Sequence, residues 1–417
     1  MGAGVDIAVV GAGAAGLAAG KRLQLAGASF HILEARHRTG GRAWTDTEAF
    51  DSLGFDHGCH WLHSASVNPL RAEADRLDVP YLKQKNWRGR LFDRDHWIDE
   101  AALKGYERAV DGMFAKVDQL ADAGHDVAAS EAFDPSAPYL AAIRHLFTQV
   151  TSAEPEEVSV VDGADYIDTE EDYPVEHGYG ALIQKVAAGV PVSTATPVER
   201  IDWSGRTVSV HTPKGNLRAR AVIVTASTNA LSGGAVRFDP ELPSEIVEAL
   251  EAVPLGCVEK VAFLLDRPID GVPANSFATI IPLDGLPLYF QINPFGRPTV
   301  VAHLGGNTAR DLQIEGTAAM IAFARERLVQ AFGADIANRI RETTVTSWTS
   351  DPFIRGAYAN ARPGRAGLRA RLSAAFSDRL FLAGEATTTT AFATAHGAHE
   401  TGIRAAERAL EAIGMVR

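Results

Sequence analysis

Cysteine, lysine and long apolar runs are all scarce in this chain, and each scarcity excludes a class of protein. Its 417 residues include two cysteines, Cys59 and Cys257, 198 positions apart (257 − 59) and in no Cys-x-x-Cys pair. Neither a disulfide framework nor a zinc ribbon can be built from them, which predicts a reducing compartment. No run approaches the ~18 consecutive apolar residues that span a bilayer. The first residues carry no basic region ahead of an apolar stretch, and the Met1-Gly2 start meets Asp6 where a myristoylation signal has Ser or Thr. Basic residues are outnumbered, 40 against 52, for a net charge of −12, so the basic stripe that nucleic-acid binding requires is missing. Together these features predict a cytoplasmic protein with neither a membrane nor a nucleic-acid partner; the expected state is monomer or homodimer, a choice that composition does not make.

What is present is a globular composition, 46% hydrophobic and 22% charged. The length predicts two or three domains at about 150 residues each. The apolar run Asp6 to Val10 reads as a buried parallel strand, and Gly11-Ala12-Gly13-Ala14-Ala15-Gly16 follows it directly. Residues 14–26 read as a helix with Leu17, Leu23 and Leu25 for packing and Gly27 at its C-terminal end. A second strand, Ser29 to Leu33, runs into Glu34, 23 positions after Gly11 (34 − 11). This is a dinucleotide site by its physics. The glycines allow a tight turn and close backbone approach, the helix N-terminus faces a pyrophosphate, and the acid accepts from a ribose hydroxyl. The loop behind the acid, Ala35 to Arg42, holds Gly40, Gly41 and the arginines Arg36, Arg38 and Arg42, residues suited to phosphate.

Three further segments carry chemistry. His57, Cys59, His60 and His63 flank Gly58 and Trp61; a zinc cluster is one reading, but no second ligand pair with usable spacing follows. Lys260 is one of eight lysines and the only one after Lys214. It sits in a strand pattern with Val258, Ala262 and Leu264 on its face, either snorkelling or buried with a lowered pKa. Near the end, Arg379 to Ala383 reads as a strand broken at Gly384-Glu385, and a Thr-rich loop leads to an amphipathic helix from about His396 to Ile413. Between these, helical patterns cover about 101–122 and 136–150, and strands 196–201, 208–211 and 221–225.

In these segments the chain resembles the flavin-dependent amine oxidase superfamily, its polyamine oxidase branch more than the monoamine oxidases. The resemblance is carried by the N-terminal unit, by Gly54 to His63 with Asn68-Pro69, by Val258 to Phe263, and by Trp348 through Gly356-Ala357-Tyr358 to Gly384-Glu385 and His396-Gly397-Ala398. It implies an FAD site made by Gly11, Gly13, Ala15, Gly16, Glu34, Ala35, Arg36, Gly41, Arg42, Gly58, Cys59, His60, Trp61, Val198, Trp348, Gly384, Glu385, Thr394, Ala395 and Ala398. Glu385 would hold the ribityl chain and Val198 bracket the adenine. Lys260 would be the catalytic residue, linked through water to flavin N5, and Trp61, His63, Tyr289, Phe392 and Thr394 would line the substrate cavity. The chain departs from the family pattern twice. Ala391 and Phe392 stand where animal-type members often carry aromatic residues. Ala357 replaces the cysteine that anchors flavin in monoamine oxidases, so the FAD is expected to be non-covalent.

The fold class expected is α/β: a discontinuous FAD-binding Rossmann-type domain, 1–80, 186–253 and 350–417, with an inserted α+β substrate domain, 81–185 and 254–349. The expected reaction is oxidation of a small amine by hydride transfer to flavin N5, hydrolysis of the imine, and reoxidation by O2 giving H2O2. The rivals are a desaturase or oxidase of a non-amine substrate, an amine dehydrogenase with another acceptor, and a flavin-bound interaction protein without enzymatic activity.

Overall fold

A computed structural model describes residues 4–83, 89–283 and 285–415. The Met1-Gly2 start lies outside the described residues. Strand β1 (Val5–Val10) runs parallel to β2 (Phe30–Leu33) on one side and to the strand Gly215–Val224 on the other, with Val9 opposite both Ile32 and Ile223. Helix α1 (Ala14–Leu25) joins β1 to β2. The sheet grows to eight strands by adding Val192–Ser193 beyond β2, and Val208–Thr212, Arg200–Asp202 and Arg237–Asp239 beyond Gly215–Val224, which Leu380–Leu382 also joins.

Alternation along β1 decides what each face covers. Ile7 and Val9 pack with Leu17, Leu23, Ala406 and Leu410 beneath α1 and the C-terminal helix Ala395–Ala412. Ala8 and Val10 point the other way, into a core with Val222, Leu250 and Trp348. The two helices meet closely at a glycine: a Cβ on Gly402 would lie 2.0 Å from the Ala15 carbonyl oxygen. Leu25 does not join the packing expected of it; it is 75% exposed, because it lies on the solvent side of α1 as the helix's last residue.

A second sheet has seven strands in the order Ile340–Val345, Val258–Leu265, Thr299–Gly305, Leu288–Ile292, Ser276–Ile281, Arg90–Asp93, His96–Trp97. It is antiparallel except where Ser276–Ile281 meets Arg90–Asp93. The strand Val258–Leu265 is buried on both faces: Val261, Phe263 and Leu265 pack with Met320 and Leu328, and Ala262 and Leu264 with Phe50 and Phe55. The helices Glu100–Asp122 and Leu140–Thr151 pack with Leu91 and Ile281 of this sheet. Near residue 200 the ladder is shorter than the sequence pattern suggests. The strand starts at Arg200, because residues 195 and 196 bond across the end of β2 instead, Ala195 N to Arg36 O and Thr196 N to Glu34 O.

Candidate active site

The first part of the site is the turn after β1. Gly11 takes φ +98°, and a Cβ there would lie 2.5 Å from Thr225 Oγ1. One on Gly16 would lie 1.9 Å from the Gly11 carbonyl oxygen, so the turn can close only on glycines. Gly13 differs, since its added Cβ would meet nothing nearer than 3.9 Å, and what lies opposite is the backbone of Gly40 and Gly41. Gly13 is also the N-cap of α1, and no side chain caps that helix. Its first-turn amides are left for an anion.

Charge is arranged around that turn. Glu34, buried at the end of β2, accepts from Ala12 N (2.7 Å) and Arg36 N (2.9 Å), which leaves capacity on both oxygens. Arg36 ion-pairs with Asp351, and Arg38 lies 4.2 Å from the Trp44 ring centroid while donating to Gly41 O. Burial lowers the pKa of both guanidiniums, that of Arg38 to about 10, with Arg36 as the second cause; both stay charged at neutral pH. Arg36 Nε and Arg38 Nη2 are buried without a partner. Free helix amides, unpartnered buried guanidinium N–H groups and a gap flanked by glycine backbone are a donor set that fits the pyrophosphate of a dinucleotide. Ala35 and Val198 lie beside this end of β2, Val198 in the core that also holds Val10 and Leu33.

The second part joins the loop 56–63 to the second sheet. Lys260, 7% exposed, donates to Asp56 O (2.9 Å) and Gly58 O (2.6 Å), so two of its three N–H groups are committed. Burial lowers its pKa to about 8, against the opposing pull of Asp56 and Cys59. A Cβ on Gly58 would sit 1.7 Å from Arg42 O, which explains the glycine. The Asp56 carboxylate is fully enclosed: Thr45 Oγ1 (2.5 Å), His60 Nδ1 (3.1 Å) and Tyr179 N (2.9 Å) donate to it. Burial opposes its charge, but His60 and these donors prevail and its pKa is lowered. His60 Nε2 in turn meets the Gln291 amide at 3.2 Å, which fixes one neutral tautomer; burial lowers its pKa. Trp348 Nε1 donates to His57 O (3.0 Å), and burial, then Lys260, holds the His57 imidazole down at about 4. Burial pushes the Cys59 thiol up, so it is an inert neutral group.

The third part is C-terminal. Glu385, buried, accepts from Arg42 Nη1 (2.8 Å), Ala393 N (3.0 Å) and Ala359 N (3.3 Å), and Arg42 Nη1 also donates to Ala357 O (2.5 Å). Arg42 thus binds the first part to the third. Gly384 at φ +141° leads into this turn. Thr394 caps the C-terminal helix, its Oγ1 accepting from Gly397 N (3.0 Å), with Ala395 opening the helix and Ala398 N bonded to Thr394 O.

The residues expected to line a substrate cavity divide. Trp61, His63 and Tyr289 are linked through aromatic contacts: Trp61 to His63 at 6.1 Å, Trp61 to His303 at 6.0 Å, and His303 to Tyr289 at 5.6 Å. Phe392 is set apart from them, its ring partners being Tyr166 at 5.4 Å and the Arg369 guanidinium at 4.1 Å. His63 Nδ1 donates to Asp172 Oδ1 (2.8 Å). Burial disfavours the charge on each, but the pair prevails, raising the His63 pKa and lowering that of Asp172.

Sequence reasoning missed Asp56, Gln291, His303 and Asp172. None of them has a sequence signal; His303 emerges only as the register partner of Lys260 on the neighbouring strand, its Nε2 buried without a partner.

Known proteins give the same outline. The family model described as flavin containing amine oxidoreductase matches residues 136–410, and one for an NAD(P)-binding Rossmann-like domain matches residues 9–77. Lysine-specific histone demethylase 1 homolog 2 of Arabidopsis thaliana is 26% identical over 99% of this chain and 59% of its own length. The chain therefore spans little more than half of that relative. Polyamine oxidase 2 of the same plant is 26% identical over 98% of this chain and 89% of its own length. Among solved structures, a putrescine oxidase redesigned in its cofactor binding superposes with a TM-score of 0.79 at 21% identity, covering 98% of this chain and 99% of that one, which establishes the shared fold.

Proposed function

The chain belongs to the flavin containing amine oxidoreductases, and from that premise we propose that it oxidises a small amine, with O2 as acceptor and FAD held without a covalent bond. Bound FAD would supply the hydride acceptor for the carbon next to the amine nitrogen and the route of those two electrons to dioxygen, giving H2O2. The observation that carries the reading is Lys260, a buried cation on two backbone carbonyls, Asp56 O and Gly58 O, at the seam between the dinucleotide turn and the second sheet.

Each part of the site has a task under this reading. The α1 amides with Arg36 and Arg38 hold the pyrophosphate, and Glu34 the ribose. Glu385, fixed by Arg42, orients the sugar-alcohol chain. Lys260 keeps one N–H free to hold a water, and its pKa near neutrality suits it to pass a proton. Trp61, Tyr289 and His303 form an apolar wall with one unpartnered nitrogen, which favours a neutral amine over its hydrated cation. Ala357, buried where a cysteine would be needed, offers no thiol for attachment.

The test is anaerobic mixing of the yellow protein with polyamines, monoamines, cyclic amines and amino acids. The expected result is bleaching by one amine class, with colour and peroxide returning on admission of air; no bleaching by any amine moves the reading to a non-amine substrate. Colour that returns only with a quinone identifies a dehydrogenase. A second reading, action on lysine side chains of a protein, is favoured by the demethylase relative matching 99% of this chain; a methylated lysine peptide belongs in the same panel. Acid precipitation is expected to leave all flavin in the supernatant, and colour in the pellet would contradict non-covalent binding.

A further inference from the structure

One cavity of the molecule has a lining that does not include Lys260. It is a cleft of about 670 Å³ on the outer side of the molecule, between the helices Thr228–Ser232 and Ser244–Ala252, the connecting segment 254–257 and the turn 362–365. Four arginines from three separate stretches, Arg310, Arg355, Arg362 and Arg365, line it, with Glu248 and Glu251 as the acids. Its formal charge is +2 (4 − 2), in a chain of −12.

In a protein with excess acid, arginines normally find carboxylates. Here Arg365 pairs with Glu248 at 2.6 Å. Among the described residues the other three meet no carboxylate within ion-pair distance. Arg310 donates to Asn307 Oδ1 and Arg355 to Gly233 O, both neutral acceptors, and Arg362 is exposed.

The cleft is also built, and not a chance gap between side chains. Arg355 is held at φ +63°, a left-handed conformation that a non-glycine residue adopts at a cost. Its guanidinium fills the space of a side chain at Gly233, where a Cβ would lie 1.9 Å from Nη1. Asn229 fixes the wall, donating to Arg355 O (2.7 Å) and Leu255 O (3.1 Å) and accepting from Leu255 N (2.9 Å). Arg362 and Arg365 stand at the two ends of one hydrogen-bonded turn, Arg365 N to Arg362 O.

We propose that this cleft binds a small polyanion, a molecule with at least two phosphate or carboxylate groups. The volume falls in the range of small-molecule sites, about 300–1,000 Å³, and planar guanidinium forks match both kinds of oxyanion. Its lining includes neither Lys260 nor the arginines of the dinucleotide turn, and the proposal does not rest on amine oxidation.

Calorimetric titration of the FAD-saturated protein with tripolyphosphate, and separately with citrate, tests it. Saturable one-to-one binding of at least one probe is expected, weakening as salt rises from about 0.02 M to about 0.15 M. Arg362→Gln removes no side-chain hydrogen bond or ion pair seen among the described residues and is expected to lower affinity about tenfold, since it removes a charge-assisted hydrogen bond to the ligand. Arg355→Gln should do the same, and Arg108→Gln, on a distant helix, should change nothing. Flavin content stays constant throughout, which separates this site from the arginines of the dinucleotide turn. Absence of saturable heat with both probes overturns the proposal. So does an affinity that Arg362→Gln leaves untouched, whatever becomes of the Arg355 variant.

Discussion

Lys260 has a charge that the fold opposes by burial and supports with two carbonyls. Its pKa is about 8 in the folded chain against 10.5 in the open. Between those values the unfolded chain binds the proton that the folded chain has lost, so stability attributable to this group rises with pH across that window. The full difference is on the order of 3 kcal/mol. Lys260→Met removes both the penalty and the proton, and its stability should show no such rise when denaturant midpoints are followed with pH. In turnover, the same variant should slow flavin reduction or reoxidation by about 10²-fold or more and abolish an inflection near pH 8. Stopped-flow rates of both half-reactions that match the parent would remove Lys260 from the mechanism.

The His63–Asp172 pair behaves with the opposite sign. A raised histidine pKa contributes stability that is complete below the ordinary value of 6.5 and fades as pH rises through the raised one. A lowered aspartate pKa contributes above 3.8 and fades as pH falls through the depressed one. The pair is therefore worth most between the two. The thermal midpoint of His63→Asn should fall furthest below the parent in mildly acidic buffer and approach it in alkaline buffer; a gap that widens toward alkaline pH would refute the pairing.

At the scale of elements, the glycines separate binding from folding. Gly13→Ala places a methyl where no atom lies within 3.9 Å, at an ordinary φ of −77°. It should leave the melting of the apoprotein nearly unchanged while weakening FAD retention, because the methyl occupies the gap opposite Gly40 and Gly41. Gly402→Ala instead pushes the C-terminal helix off the Ala15 carbonyl at 2.0 Å. An overpacking cost of ~1–3 kcal/mol is expected, read as a lower midpoint in urea for apoprotein and holoprotein alike. The contrast between the two variants is the measurement.

The same scale explains what could be read from the chain alone. The β1–α1–β2 unit was legible because its signals are local: strand, glycines, helix and acid fall within thirty-odd residues and are bonded to one another, as Glu34 is to Ala12 N. The strand around Lys260 and the helix after Thr394 were legible for the same reason. Contacts between distant stretches were not. Nothing near Lys260 announces that the carbonyls of Asp56 and Gly58 receive its protons, or that His303 lies beside it, until strand register is known. The surroundings of Phe392 are not legible either. The resemblance implies a cavity wall for it, and its ring packs against an arginine 23 residues earlier (392 − 369), a contact that local sequence does not announce.

For the whole molecule, that arginine matters more than any single loop. Asp162 reads in sequence as one acid in an acidic stretch, yet it is 2% exposed and accepts two bonds from Arg369, at 2.6 Å each, and a third from Ala361 N at 2.7 Å. Arg369 also donates to Ala386 O and Ala359 O. The helix Val160–Asp165 is thereby tied to the turn that carries Glu385, the acid bonded to Arg42 at the dinucleotide turn. Removing one partner of such a pair leaves a buried uncompensated charge, a loss of about 3–5 kcal/mol. Asp162→Ala should therefore unfold at markedly lower denaturant, and it should also shed FAD before the global transition, because Glu385 sits on the turn the pair supports. Arg369→Met with Asp162→Leu replaces charge by volume and should recover most of the lost stability. Recovery of stability with flavin still lost would mean that the pair orients the Glu385 turn as well as holding the fold together. Recovery of both would mean that packing alone sets the position of Glu385.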